Sequence, residues 1–232
     1  MLLYLDLETT GLEEADRICA LGLILKDADS TAVYEGYVKS DRKIRPEAMA
    51  VHHITNEMIK DAQAFSEAEI VRLLHKYNSE ESILIAHNIN FELSMLAKEG
   101  LFWKGGVIDT LKCTRHLVEE IDRFSLQFLR YELRLYRDEK KQADVLGLEL
   151  QAHSALSDAF HVQLLHTYLN DMEDDESLIA LSMEPVLIKK FAFGKYKDHY
   201  IEEVSLTDKG YLQWLIAQNV DEDLEYSIKH YL

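Results

Sequence analysis

Near its N-terminus the chain reads "LLYLDLETTGL", an apolar run interrupted by Asp6 and Glu8. In an extended strand side chains two apart project to the same side, so these two acids share one face while Leu5 and Leu7 take the other. Neighbouring carboxylates repel unless a proton or a cation neutralises them. The pair is therefore either a solvated strand end or part of a divalent-cation site. Two more places carry suitable groups: Glu92 in "AHNINFE", with His87 and Asn88 ahead of it, and His153 with Asp158 in "HSALSDA". Carboxylate oxygens suit Mg²⁺ or Mn²⁺, and a histidine is suited to taking a proton from water near neutral pH. The chemistry these residue types allow is cation-assisted hydrolysis.

The elements that must position these groups are legible in outline. Residues 2–7, 18–26 and 31–39 read as strands in close succession, joined by polar turns, which favours an antiparallel meander. "SEAEIVRLLHKYN" has helical spacing, with Ser66 and Glu69 in the positions of a capping box. "SILIA" follows as a buried strand, then a helix from about Asn88 to Lys98 that Asn88 can cap, then a brief strand at "GVID". Helical stretches near 110–118 and 125–133 precede a last helix in "SALSDAFHVQLLHTYLN". Strands alternating with helices imply parallel additions to the sheet, so a mixed α/β domain is expected. His153 and Asp158 are five residues apart, about 140° around a helix, so His153 must precede the regular helix if the two are to converge.

The acidic run "DMEDDES" reads as a linker, which divides the chain into residues 1–170, a linker over 171–185 and a small module over 186–232. That module is expected to hold a hairpin and an aromatic-bearing helix. Lys189, Lys190, Lys195 and Lys197 are interleaved there with Phe191, Phe193 and Tyr196, either as a nucleic-acid patch or as the solvated face of a small core. Arg130, Arg134 and Arg137 read as a solvated helix face.

The 232 residues are 47% hydrophobic and 29% charged, with a formal net charge of −17. This acidity argues against broad electrostatic binding of nucleic acid, although a cation site is itself acidic and can draw phosphate to its ions. No apolar stretch reaches the roughly 18 to 20 residues that span a bilayer, and the start lacks a basic signal flank, so a cytoplasmic protein without a membrane partner is expected. Cys19 and Cys113 lie far apart in apolar segments and read as reduced core thiols.

Taken together, "LDLETTGL", "AHNINFE" and "HSALSDA" resemble the motifs of the DEDDh group of DnaQ-like 3′-to-5′ exonucleases, over about residues 1 to 170. "IRPEAMAVHHITNEMI" and the tail "FAFGKYKDHYIEEVSLTDKGYLQWLI" are similar to the exonuclease X-like subgroup. The resemblance implies a ribonuclease H-like mixed sheet flanked by helices, with a small C-terminal α+β module. It implies two divalent cations, Mg²⁺ or Mn²⁺, with Asp6, Glu8 and Asp158 on the first and Asp6 also bridging to the second. Glu92 takes the place of the remaining acid, where the family normally has Asp, and His153 that of the general base. Thr9, Thr10, Gly11 and Leu12 are implied to meet the terminal nucleotide, Asn88 and Phe91 to shape its pocket, and His53 or His52 to approach it.

The activity implied is hydrolysis of terminal phosphodiesters at DNA 3′ ends, releasing 5′-mononucleotides. A ribonuclease of the same fold that trims RNA is the alternative within this chemistry. A nucleic-acid-binding module that Glu92 has cost its turnover is the alternative outside it. The sequence names no protein partner.

Overall fold

The computed structural model describes residues 1–118, 121, 123–151, 153–218 and 220–232. The chain forms two compact units, Met1–Ile179 and Ala180–Leu232. In the first, strands β1 (Leu2–Thr9), β2 (Ile18–Lys26), β3 (Thr31–Tyr37), β4 (Ile83–Ala86) and β5 (Gly106–Asp109) make one five-stranded sheet in the order β3-β2-β1-β4-β5. β1, β2 and β3 pair antiparallel as the expected meander, while β4 and β5 are parallel additions on the other side of β1.

The alternation in β1 sorts its side chains between two helical layers. Leu3, Leu5 and Leu7 join Leu21, Leu23 and Leu25 of β2 in one core, closed by α3 (Glu69–Tyr77) and α4 (Ile89–Lys98) through Ile70, Leu74, Met95 and Leu96. The opposite face carries Tyr4, Asp6 and Glu8 and is covered by α8 (Ala155–Asn170), where the Tyr4 hydroxyl lies 3.1 Å from His166 Nδ1. With helices on both faces, β2 is buried from Ile18 to Leu25, which explains why its sequence is a continuous apolar run rather than an alternation.

Helices α1 (Pro46–His52) and α2 (Asn56–Ile59) fill the β3–β4 connection, and α5 (Thr110–Leu117), α6 (Leu126–Glu132) and α7 (Tyr136–Leu146) lie between β5 and α8. The helix α7 carried no clear sequence signal. Ser66 and Glu69 do not form a capping box: a 3₁₀ turn occupies Phe65–Glu67 and α3 starts after Ala68. Buried Phe65, together with a bridge between Lys39 and Ala64, fixes the entering chain and moves the helix start. Asn88 does precede α4, but in a left-handed conformation and without a side-chain cap.

The segment expected as an acidic linker carries α9 (Asp175–Met183), and the division between the units falls inside it. The second unit holds α10 (Ile201–Thr207), α11 (Lys209–Ile216) and α12 (Glu222–Tyr231) around Phe191, Ile201, Leu212, Leu215, Leu224 and Ile228. The expected hairpin contracts to a single antiparallel bridge, Lys190 with Tyr200, so the module is mainly helical. Both cysteines are free and buried, and no described helix is long and apolar enough to cross a membrane.

One glycine sets how closely α8 can lie on the sheet. Gly22 of β2 is the register partner of Asp6, so a side chain there would point toward the same layer. Its Cβ would stand 2.2 Å from the carbonyl carbon of Ala155 and 2.2 Å from the Leu156 nitrogen. These are backbone atoms and cannot rotate away. Gly22→Ala is therefore expected to lower stability by about 3 kcal/mol or more, at or above the usual overpacking cost, measured as a fall in the urea midpoint.

Candidate active site

Asp6, Glu8 and Asp158, the acids that the family resemblance groups, each offer a carboxylate oxygen, and these oxygens all lie within 4.8 Å of one another. Asp6 and Glu8 point from the end of β1, and Asp158 descends from the first turn of α8 where that helix crosses β1 and β2. A bulge between Glu8 and Thr9 ends the regular pairing of β1 with β2 just past the acids.

Glu92 lies outside this group of three but beside it. It is buried in the first turn of α4, and its Oε2 has no hydrogen-bond partner. Its negative charge acts on Asp6, and Asp109 acts on it in turn. Asp109, which the sequence reading passed over, caps α5 by accepting from the Leu111 and Lys112 N–H groups, and also takes the Asn88 N–H at 3.0 Å. Its signal was an Asp directly before "TLKC" at a strand-to-helix junction.

His153 does precede the regular helix. It is exposed, two residues before α8, with a left-handed φ of 56°, and it is not among the groups within 4.8 Å of the acids. The structure thus brings three acids together and leaves His153 at the rim.

The loop after β1 is built largely from its own side chains. The Thr10 hydroxyl donates to Asp16 at 2.9 Å and accepts from the Arg17 N–H at 3.1 Å, while the Thr10 N–H donates to the Arg17 carbonyl. Both donors of Thr10 are thus engaged within the loop. The Thr9 hydroxyl donates to the Gly11 carbonyl at 2.8 Å. Gly11 is required by Asp16, whose Oδ2 would stand 2.5 Å from a Cβ there. Leu12, in contrast, projects at 86% exposure, the most conspicuous apolar side chain at this end of the sheet.

The histidine pair divides. His52 is buried, accepts the Ile54 N–H on Nδ1 and so donates from Nε2 to the Thr9 carbonyl, clamping α1 to the end of β1. His53 is exposed and left-handed at the end of α1. Phe91 packs against the core at half-burial, Asn88 is exposed, and His87 spends Nε2 on the Phe124 carbonyl at 2.7 Å. Behind Asp158 stands a group absent from the sequence reading, in which Gln127 Nε2 donates to Asp158 Oδ1 at 2.6 Å. Arg130, read as part of a solvated face, is instead paired in two contacts of 2.6 Å with Glu139.

The family model described as Exonuclease matches residues 3–163, which include every one of these site residues. The chain belongs to the exonuclease family. A second model, Exodeoxyribonuclease X-like C-terminal, matches residues 191–220. Exodeoxyribonuclease 10 of Escherichia coli strain K12 is 31% identical, with 100% of this chain and 99% of that protein aligned. Among solved structures, Exonuclease X in complex with 5′ overhanging duplex DNA superposes with a TM-score of 0.62 at 24% identity, over 78% of this chain and 99% of that one. Exonuclease I of E. coli with a dT13 oligonucleotide superposes at 0.55 and 18% identity, over 76% of this chain and 42% of that one. Both structural likenesses concern the fold, the ribonuclease H-like exonuclease sheet with flanking helices.

Electrostatics give this exonuclease site an unbalanced charge. Burial, and then the charges of Asp158, Glu8 and Glu92, hold the Asp6 carboxyl well above the usual carboxylate range. Burial and Asp158 push Glu8 up to about 8, and burial pushes Glu92 up to about 8. Among the described residues no lysine or arginine relieves Asp6, Glu8 or Glu92. Clustered hard oxygens and an unpartnered buried carboxylate oxygen fit a divalent-ion site.

The raised acids set a pH dependence. Between the ordinary glutamate value of 4.5 and about 8, the folded protein binds more protons at Glu8 and Glu92 than the unfolded chain does. Stability of metal-free protein should therefore fall as pH rises through that window. A bound cation replaces those protons, so the rise in melting temperature caused by Mn²⁺ should be larger near about pH 8 than near about pH 5. Thermal melts with and without EDTA at both pH values check this.

Proposed function

We propose that this exonuclease hydrolyses the terminal phosphodiesters of DNA from the 3′ end, with Mg²⁺ or Mn²⁺, releasing 5′-mononucleotides. The observation that carries the reading is the group of Asp6, Glu8 and Asp158 with oxygens within 4.8 Å, on a chain aligned end to end with an exodeoxyribonuclease. The preference for DNA over RNA rests on that relative. Discrimination itself would be made by contacts to the sugar 2′ position.

Asp6, Glu8 and Asp158, with Glu92 beside them, are the residues that would hold two cations. When bound, these ions supply positive charge to a phosphodiester and make water more acidic. The chain's own residues do the remainder. Their carboxylates, fixed on β1, α4 and α8, present oxygens without having to reorganise. His153, exposed just before α8, is suited to take the proton of the attacking water once a substrate closes the rim; such contacts commonly tighten only in the complex. Leu12 offers an apolar surface to the terminal base, while Phe91, Asn88 and His53 line the approach to it. Thr9, Thr10 and Gly11 hold the loop that carries Leu12. The longer Glu92, beside the cluster with the Asp109 charge acting on it, suits a ligand for the second ion.

The C-terminal unit is proposed to add affinity for the nucleic-acid strand. Lys195 is engaged with Asp208 at 3.0 Å and lies over Tyr196, and Lys190 lies over Tyr200, so the exposed Lys189 and Lys197 are proposed as the cations offered to phosphate. Replacing these two by Gln should lower the slope of log affinity against log salt for single-stranded DNA by up to about 1.4, at roughly 0.7 for each phosphate no longer neutralised.

A gel time course tests the catalytic reading. With 5′-labelled oligonucleotides, the wild type should give a ladder shortening from the 3′ end in Mg²⁺ or Mn²⁺ and none in EDTA, with DNA cut faster than matched RNA. Asp6→Ala and Asp158→Ala should give no ladder. His153→Ala should keep the Mn²⁺-induced thermal shift and slow cleavage by about a hundredfold. Faster cutting of RNA would move the substrate to RNA, and no ladder that Glu92→Asp restores would make the chain a binding module.

A further inference from the structure

The polar group behind Asp158 draws on three helices. Gln127 and Arg130 stand one turn apart on α6, Glu139 lies in the first turn of α7, and Asp158 and His161 stand one turn apart on α8. Gln127 Nε2 lies 2.6 Å from Asp158 Oδ1, and Arg130 Nη1 donates to Gln127 Oε1 at 3.2 Å. Glu139 receives Arg130 Nε and Nη2 at 2.6 Å each. His161 flanks the ring, its Nδ1 3.4 Å from both Asp158 Oδ1 and Gln127 Nε2, while its Nε2, 3.6 Å from Glu139 Oε2, makes no hydrogen bond. The ring is largely out of solvent, with exposures of 19% for Arg130, 13% for Glu139, 14% for Asp158 and 3% for His161.

The order of charges around this ring has a direct consequence. Arg130 carries donors only, so the end of the Gln127 amide that faces it must be the oxygen. The amide nitrogen is thereby turned to Asp158, and the bidentate grip of Glu139 keeps the guanidinium from swinging out. Asp158 thus receives a strong hydrogen bond from a neutral group. A lysine in that position would hold the carboxylate equally well but would neutralise it and compete with a cation. The positive charge of Arg130 is instead kept one residue back and spent on Glu139.

We propose that Gln127, oriented by Arg130 and Glu139, is a positioning residue that fixes the Asp158 carboxylate for the divalent cation. This rests on the cation reading given above. Gln127 touches neither substrate nor ion; it acts by restricting the rotation of one ligand. Outer partners of this kind are commonly worth about 10- to 100-fold in metal affinity.

The test is Gln127→Met, which keeps length and bulk and removes both donor and acceptor, with Glu139→Gln as a second variant that loosens Arg130 and leaves Gln127 in place. For each, the Mn²⁺ concentration at half-maximal thermal shift is measured without DNA, and the Mn²⁺ dependence of cleavage is measured alongside. Gln127→Met should need about tenfold more Mn²⁺ in both measurements, with an unchanged KM for the oligonucleotide and a kcat that recovers at high Mn²⁺. Glu139→Gln should move in the same direction by less. If both variants keep the wild-type Mn²⁺ half-point, the positioning role is overturned, even where cleavage slows. If the wild type itself has no Mn²⁺ dependence in either measurement, the cation reading fails and takes this one with it.

Discussion

The closeness of α8 to the sheet is the constraint on which the site depends. Asp6 and Glu8 belong to β1 and Asp158 to a helix about 150 residues later, so nothing local brings them together. What does is backbone contact between the start of α8 and Gly22, the residue paired with Asp6 across the β1–β2 ladder. A missing side chain on β2 is converted into proximity between two carboxylates. The same face is secured farther along α8 by the Tyr4 hydroxyl on His166, so the helix is fixed at two places along β1.

That packing forces like charges together at a cost the rest of the fold must carry. Asp6, Glu8 and Glu92 all have carboxyls pushed above their ordinary range, by burial before anything else. The apolar burial of the leucine core on the other side of β1 offsets such a strained end. Around the acids the remaining polar groups are tied down: Asp16 by Thr10 and the Glu13 N–H, Asp109 by three backbone donors, Asp158 by Gln127. Asp158 is nonetheless one of the three acids that could share an ion, so a donor at one oxygen does not remove it from the cluster.

Burial explains what could be read in advance. The strands were legible because alternation in β1 and the apolar runs of β2 and β4 are direct records of burial. The acids Asp6, Glu8 and Asp158 stood out because a charge inside an apolar run has few structural reasons to be there. Local rules failed where a distant contact overrode them. The Ser66–Glu69 cap lost to the anchoring of Phe65, and the hairpin of the second unit contracted to one bridge under three helices packed on Phe191. The surface reading of Arg130 failed because its partner Glu139 lies on the next helix, which has no strong apolar stripe to announce it.

By itself, then, the sequence determined which residues could do the chemistry, which strands and helices carry them, and the order in which those elements follow one another. These are properties of spacing and of the period of apolar residues, and they need no partner. Only the tertiary structure decided which acids meet, since Asp158 reaches Asp6 through Gly22, while Glu92 stops beside the group and His153 stays at its rim. It also decided that Thr10 and His52 spend their polar groups on the loop, and that Gln127 stands behind Asp158. The physical reason is that hydrogen bonds and charge interactions act over a few ångströms in space, between residues whose separation along the chain carries no trace of it.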